Sequence, residues 1–314
     1  AISVTYGDYA AWHRTWLEGD EFRSKREFWR CKLVNAPVVQ ALATDFPRRQ
    51  GQPGSGSTEW INIGQPSLEA IHRLAQTAQA TVAMTILAAY VVLLYSRPEI
   101  GSIAVGIPVR GRDRPELEPI MGYFSNVLPL NLTVDPAGTF IELIAQVRAA
   151  QVDAFQHPDM PREELVKLLT AVRKDARATL YQSLFSFQDA RQRTHRWGGL
   201  AHSMVPIFQR GVTDDLGVWF LESVDGLHGG ITYNTDVFSQ ATAIRMKGQL
   251  LDILEIVAAD PGITIGALLQ AGSSRMAGGK PAAPTTALAG AVHASPALEL
   301  SEMDTPLADT SASR

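Results

Sequence analysis

Acid–base or nucleophilic chemistry in this chain of 314 residues would have to come from seven histidines, and their spacing offers little. His13, His72, His157, His195, His202, His228 and His293 are isolated from one another, and none sits in a recognisable nucleophile–base pattern. One cysteine, Cys31, can build neither a disulfide framework nor a thiolate metal site. No His/Cys/carboxylate metal spacing and no glycine-rich phosphate loop is present. The densest chemistry is cationic. Arg110, Arg112 and Arg114 fall within five residues, in Arg110-Gly111-Arg112-Asp113-Arg114-Pro115-Glu116-Leu117. The bland reading is a solvated loop; the sharper one is a set of planar guanidinium forks, each able to pair with a carboxylate at two points.

The elements around this run decide where it sits. Ser102 to Val109 is almost continuously apolar, as in a strand buried on both faces. Beyond the arginines, Leu128, Leu130, Leu132 and Val134 alternate with polar residues, which predicts a second strand. Pro129 cannot donate to a ladder, which puts that strand at a sheet edge or points its N–H position away from a partner. Residues 6 to 35 carry the aromatic stripe of a helix, with a break at Gly19-Asp20. A strand is expected over 57–63, a helix from Pro66, and a second, apolar helix to about Tyr95. That helix is shorter in its strongly apolar part than the roughly 20 residues a bilayer requires, so it is read as a core helix against the sheet.

Farther on, Thr139-x-x-Glu142 is a capping box for a helix to about Phe155, and Pro161 opens another. A strand over 180–187 puts Gln182 and Ser186 on one face, where polar groups need partners or a solvated channel. A hairpin turns at Asp225-Gly226, and Ser239 caps a last helix to about Ala258. From 271 to 314 the composition shifts to Ala, Gly, Pro, Ser and Thr, and a disordered tail is expected there. Residues 1–270 form the folded unit. Net charge is -4, which implies no nucleic-acid partner. The first residues show no basic region followed by an apolar run, so no signal peptide, no membrane anchoring and a cytoplasmic setting are expected.

Several segments, in order, resemble the signatures of nonribosomal peptide synthetase condensation domains. Tyr6-Gly7-Asp8-Tyr9-Ala10-Ala11-Trp12 is similar to the family's Tyr-x-Asp-Tyr-Ala-x-Trp, with His13 where Gln is usual. Asp45-Phe46-Pro47-Arg48 resembles Asp-x-Pro-Arg-Pro, and Gly111 to Leu117 matches Gly-Arg-x-x-Pro-Glu-Leu. Met121-Gly122-Tyr123-Phe124-Ser125-Asn126 resembles Ile-Gly-x-Phe-Val-Asn, and His157 to Glu163 resembles His-x-Asp-x-Pro-Phe-Glu with Arg162 for Phe. Arg173 to Leu180 is a drifted Arg-Asp-x-Ser-Arg-x-Pro-Leu, and 213–216, 225–227 and 231–238 look like the end of such a domain.

The resemblance implies an α/β fold: one half of a chloramphenicol-acetyltransferase-like pair, a mixed β-sheet with flanking helices in a two-layer sandwich. It implies amide or ester formation between carrier-bound acyl or peptidyl donors and aminoacyl acceptors. Peptidyl or acyl carrier proteins would be the partners and their phosphopantetheine arms the substrates, with no directly bound cofactor and no metal. The family's catalytic His-His-x-x-x-Asp-Gly is absent from this sequence. No catalytic residue is therefore assigned, and the chain is expected to need an N-terminal condensation half. Arg112, or alternatively Arg110, would pair with that motif's Asp and stand solvated without it. Tyr123 and Asn126, and more weakly Gln182 and Ser186, would line the substrate tunnel. The competing readings are a non-catalytic module that binds carrier proteins or tailoring enzymes, and a related CoA acyltransferase or epimerase.

Overall fold

The computed structural model describes residues 4–34, 42, 44–47, 54–95, 102–112, 114–172, 180–181, 183–192, 196–201, 211–212 and 214–277. Its strands are β1 (Gly54–Ile63), β2 (Ser102–Val109), β3 (Asn126–Thr133), β4 (Ser183–Asp189), β5 (Arg196–Trp197), β6 (Leu200–Ala201), β7 (Gly211–Val212), β8 (Leu216–Ser223) and β9 (Gly226–Asn234). Its helices are α1 (Tyr6–Trp16), α2 (Asp20–Val34), α3 (Gln65–Thr77), α4 (Val82–Leu94), α5 (Phe140–Phe155), α6 (Arg162–Val172), α7 (Gln240–Ala259) and α8 (Ile265–Ala277).

A seven-stranded mixed sheet runs in the order β3-β2-β4-β8-β9-β1-β7, and β5 and β6 form a separate ribbon. β2 and β3 are an antiparallel pair with Val105 opposite Leu130, while β2–β4 and β4–β8 are parallel. β3 takes the edge, which suits Pro129. One sheet face is sealed by helices. Leu128, Leu130, Leu132, Ser183, Phe185, Leu216, Val218 and Phe220 are buried there. α4 is the central element of that layer, with ten of its thirteen residues buried. Thr81 caps it by accepting from the Met84 N–H, and the Tyr90 hydroxyl meets Ser183 Oγ of β4 at 2.5 Å. Each large apolar side chain buried in this layer contributes roughly 1.5–3 kcal/mol. Among the described residues no single helix is long and apolar enough to cross a membrane; α3 and α4 pass only as a pair bent by 96°.

The other sheet face carries no helix layer among the described residues. β8 alternates buried and half-buried along its length, so Gly217, Trp219 and Leu221 face away from the helices. Trp219 meets Trp60 of β1 edge-on at 5.7 Å, and Trp60 stays 44% exposed.

Three boundaries depart from the sequence reading. β4 begins at Ser183, not at Leu180. β1 begins at Gly54, where Gly54 and Ser55 pair with β7, the second neighbour of this strand. α8 runs to Ala277, past the expected tail boundary at 270. Ile265 and Leu268 are fully buried, and Thr264 Oγ1 accepts from the Ala267 N–H. Once its first turns are held, each further residue adds one backbone bond, which carries a helix through a weak composition. Residues 278–314 of the expected tail lie outside the described residues, as do Arg173 to Thr179 of the drifted motif.

Candidate functional site

The motif segments that are far apart in sequence meet around α1. Thr5 and Asp8 close a capping box at its start, fixing the helix that carries Tyr6, Tyr9, Trp12, His13 and Trp16. His13 stacks between Tyr9 and Trp16, 5.6 Å from each ring centroid. Burial holds its imidazole below the ordinary value of 6.5, against the opposing pull of Asp159.

The loop between β2 and β3 lies on this helix. The Tyr6 hydroxyl donates to the Tyr123 carbonyl at 2.9 Å, and a Cβ at Gly122 would fall 2.2 Å from the Tyr6 ring. Phe124 is buried beneath Tyr6 and Tyr9, at 5.2 and 4.7 Å between centroids. Gly111 adopts φ +62, and a Cβ there would sit 1.9 Å from the Phe124 carbonyl oxygen. Glycine is thus required on both counts: left-handed backbone and close approach.

The three arginines end differently. Arg110 pairs with Glu118 at 2.8 Å in solvent. The Arg114 guanidinium lies over the Trp12 ring at 4.5 Å. Arg112 lies over the Phe124 ring at 4.2 Å and donates to the Ile120 carbonyl at 2.8 Å. The expectation that Arg112 would stand solvated is therefore corrected: its planar fork finds an aromatic face inside its own loop. Among the described residues no carboxylate pairs with Arg112; Asp113 lies outside them.

A groove of about 330 Å³ opens beside this arrangement, lined by α1 aromatics, Gly111, Tyr123 to Val127, Pro158, Asp159 and Pro161 to Glu163. Tyr123 is 78% exposed at its rim. Asn126 lines the groove too, but its amide donates to the Pro158 and Met160 carbonyls at 3.1 and 2.6 Å, pinning the loop that enters α6. His157 keeps a structural place: its ring stacks on Phe28 and its carbonyl accepts from Trp29 Nε1. Asp159 pairs with Lys25 of α2.

Tyr181 joins groove and sheet. Its ring packs where a Cβ of Gly106 would stand, and Arg162 of the groove wall acts on it electrostatically. Burial raises its phenol, and Arg162 opposes that. From Tyr181 the uncovered sheet face continues to Ser186, which is aligned with Trp219 on β8. Gln182 lies outside the described residues. Trp60 and Trp219 on this face are not singled out by the motifs. Their signal was legible: Leu216 to Leu221 is apolar at both parities, the pattern of a strand with two covered faces. Among the described residues no group of three or more His, Cys, Asp or Glu could hold a metal ion.

The description "Condensation domain" matches residues 1–273 as a family model. A linear gramicidin synthase polypeptide of Brevibacillus parabrevis is 35% identical over 258 residues, 82% of this chain and 5% of that protein. Surfactin synthase subunit 1 of Bacillus subtilis (strain 168) is 33% identical over 261 residues, 83% of this chain and 7% of its own length. Among solved structures, the X-domain from teicoplanin biosynthesis superposes with a TM-score of 0.74 at 24% identity, over 84% of this chain and 62% of that one. The first condensation domain of the CDA synthetase gives 0.72 at 20%, over 85% and 58%. The chain belongs to the condensation-domain family of nonribosomal peptide synthetases. It spans about three-fifths of those solved domains and a small fraction of the curated synthetases.

Proposed function

We propose that this chain is the C-terminal half of a condensation domain and acts with an N-terminal half bearing His-His-x-x-x-Asp-Gly. In that reaction the amine nitrogen of a carrier-bound aminoacyl acceptor attacks the thioester carbonyl of a carrier-bound acyl or peptidyl donor. The C–N bond forms, the C–S bond breaks, and the proton leaving the amine ends on the released phosphopantetheine thiol. The histidine that would orient or deprotonate the amine belongs to the other half. This chain contributes one wall of the tunnel, with Tyr123, Asn126, Gln182 and Ser186 as tunnel residues, and Arg112 as partner of the motif Asp. Carrier proteins are the partners, no cofactor is bound directly, and a cytoplasmic setting follows.

The observation that carries this reading is the uncovered sheet face: Trp60, Trp219 and Leu221 lie where no helix among the described residues covers them. A second half is the cover that such a face requires. The test is amide formation between two loaded carrier proteins by the complete domain. Arg112→Ala is expected to lose at least about tenfold in rate, because it leaves the motif Asp without its partner. Undiminished activity of that variant sinks the Arg112 assignment; no product from the complete domain sinks the catalytic reading. A non-catalytic recruiting module is the second reading. It draws support from one structural neighbour, the teicoplanin X-domain described in complex with OxyB, 25% identical to this chain. That reading expects partner binding with no amide product.

A further inference from the structure

We propose that Phe124 is the positioning residue for Arg112, and that α1 sets its position through Tyr6 and Tyr9. The inference rests on the reading of Arg112 as the partner of a carboxylate from the other half. The geometry supporting it is local to this chain. The guanidinium carbon lies 4.2 Å from the Phe124 ring centroid, and one Nη2 proton is given to the Ile120 carbonyl at 2.8 Å. Those two restraints hold the guanidinium over the ring and anchor one of its nitrogens. A guanidinium has five N–H donors, so most of the fork stays available for a carboxylate. Arg110, already paired with Glu118 and 76% exposed on its side chain, has no such orientation.

Phe124 is itself held. Tyr6 approaches its ring at 85°, near the edge-to-face arrangement, and Tyr9 packs at 4.7 Å. The Tyr6 hydroxyl fixes the backbone one residue earlier, at Tyr123. Gly111 lets its own backbone close on the Phe124 carbonyl, which brings the next residue, Arg112, above the ring. A helix about a hundred residues upstream thereby sets the direction of a charged fork. An arginine held before its partner arrives loses less side-chain freedom when the pair forms.

Two measurements test this. The first is NMR of arginine side chains in the full chain, which does not depend on any activity. The Arg112 protons are expected upfield of arginines that face no ring, through the Phe124 ring current; Arg114, which lies over Trp12, is assigned separately. Phe124→Leu should abolish that shift and Phe124→Tyr should keep it. An unshifted Arg112, or a shift that survives in Phe124→Leu, overturns the proposal. Phe124→Met replaces the Leu variant if the latter does not fold by circular dichroism.

The second is the condensation rate of the complete domain. Phe124→Leu should lower kcat about 2- to 30-fold with little change in KM, the range of a partly desolvated cation–π contact. Phe124→Tyr should restore it. Equal kcat for the Phe and Leu forms overturns the proposal. Full activity of Arg112→Ala would instead remove the carboxylate-partner reading, and the NMR result would still decide whether Phe124 orients the fork.

Discussion

Three arginines that look equivalent in sequence reach a carboxylate, a tryptophan and a phenylalanine. Spacing alone cannot separate them, because the deciding partners Trp12 and Phe124 lie on another helix and at the far end of the loop. The aromatic stripe of α1 reads as ordinary core. Only Trp16 of that helix is buried; Tyr6 and Trp12 are each 39% exposed and serve as a bed for the arginine loop. His13 offers a test at the same scale. Its folded form resists protonation through burial, and His157 does so too. The unfolded chain takes up these protons near 6.5, so stability is fully present above that pH and declines as pH falls below it. Urea titrations between pH 7.5 and 5 should show this decline. His13→Gln should flatten it in part, leaving the share of His157; an unchanged slope would exclude His13.

Elements were more legible than contacts. The capping box at Thr139, the hairpin turn at Asp225-Gly226 and the edge position that Pro129 suits all follow from local rules. What sequence cannot supply is who completes a helix end. Asp45 accepts from the Ser239 N–H and hydroxyl and from Thr242 Oγ1, so a residue nearly two hundred positions away caps α7 beside Ser239. These bonds hold its carboxyl below the ordinary range. Asp45→Ala is expected to cost about 1 kcal/mol, as loss of a cap does, measured as a lower urea midpoint at unchanged m-value. Gly122→Ala should act on the β2–β3 loop, forcing it off Tyr6 at a cost of roughly 1–3 kcal/mol for overpacking. A Gly122→Ala protein with wild-type stability would show that the loop does not bear on α1.

At the scale of the molecule, helices among the described residues cover one face of the sheet, while its strands are patterned for cover on both. Trp60, Trp219, Met121 and Tyr123 leave apolar surface that a lone chain cannot bury. Light scattering over a dilution series should therefore find concentration-dependent association of the chain by itself. Trp60→Ser with Tyr123→Ser should shift it toward monomer; a wild-type monomer that persists on concentration would count against an uncovered interface. The mixed sheet and its helices could be anticipated from the motifs. The reach of α8 could not, since residues 271–277, the first four of them Ala, Gly or Ser, continue a helix whose packing begins at Ile265.

The strand order has a consequence in time. β1 precedes the other strands of its sheet along the chain, yet it pairs with β9, the last of the long strands. Ile63 sits opposite Leu227, so some 160 residues must be synthesised before that pairing can begin. At roughly 5–20 residues per second on the ribosome, β1 waits about 10 to 30 seconds for its neighbour. During that interval β2 and β3 can already close as a hairpin, while β1 stays without its β9 neighbour. The order of the sheet thus makes synthesis, rather than the finished state, the period in which the backbone groups of β1 are least satisfied.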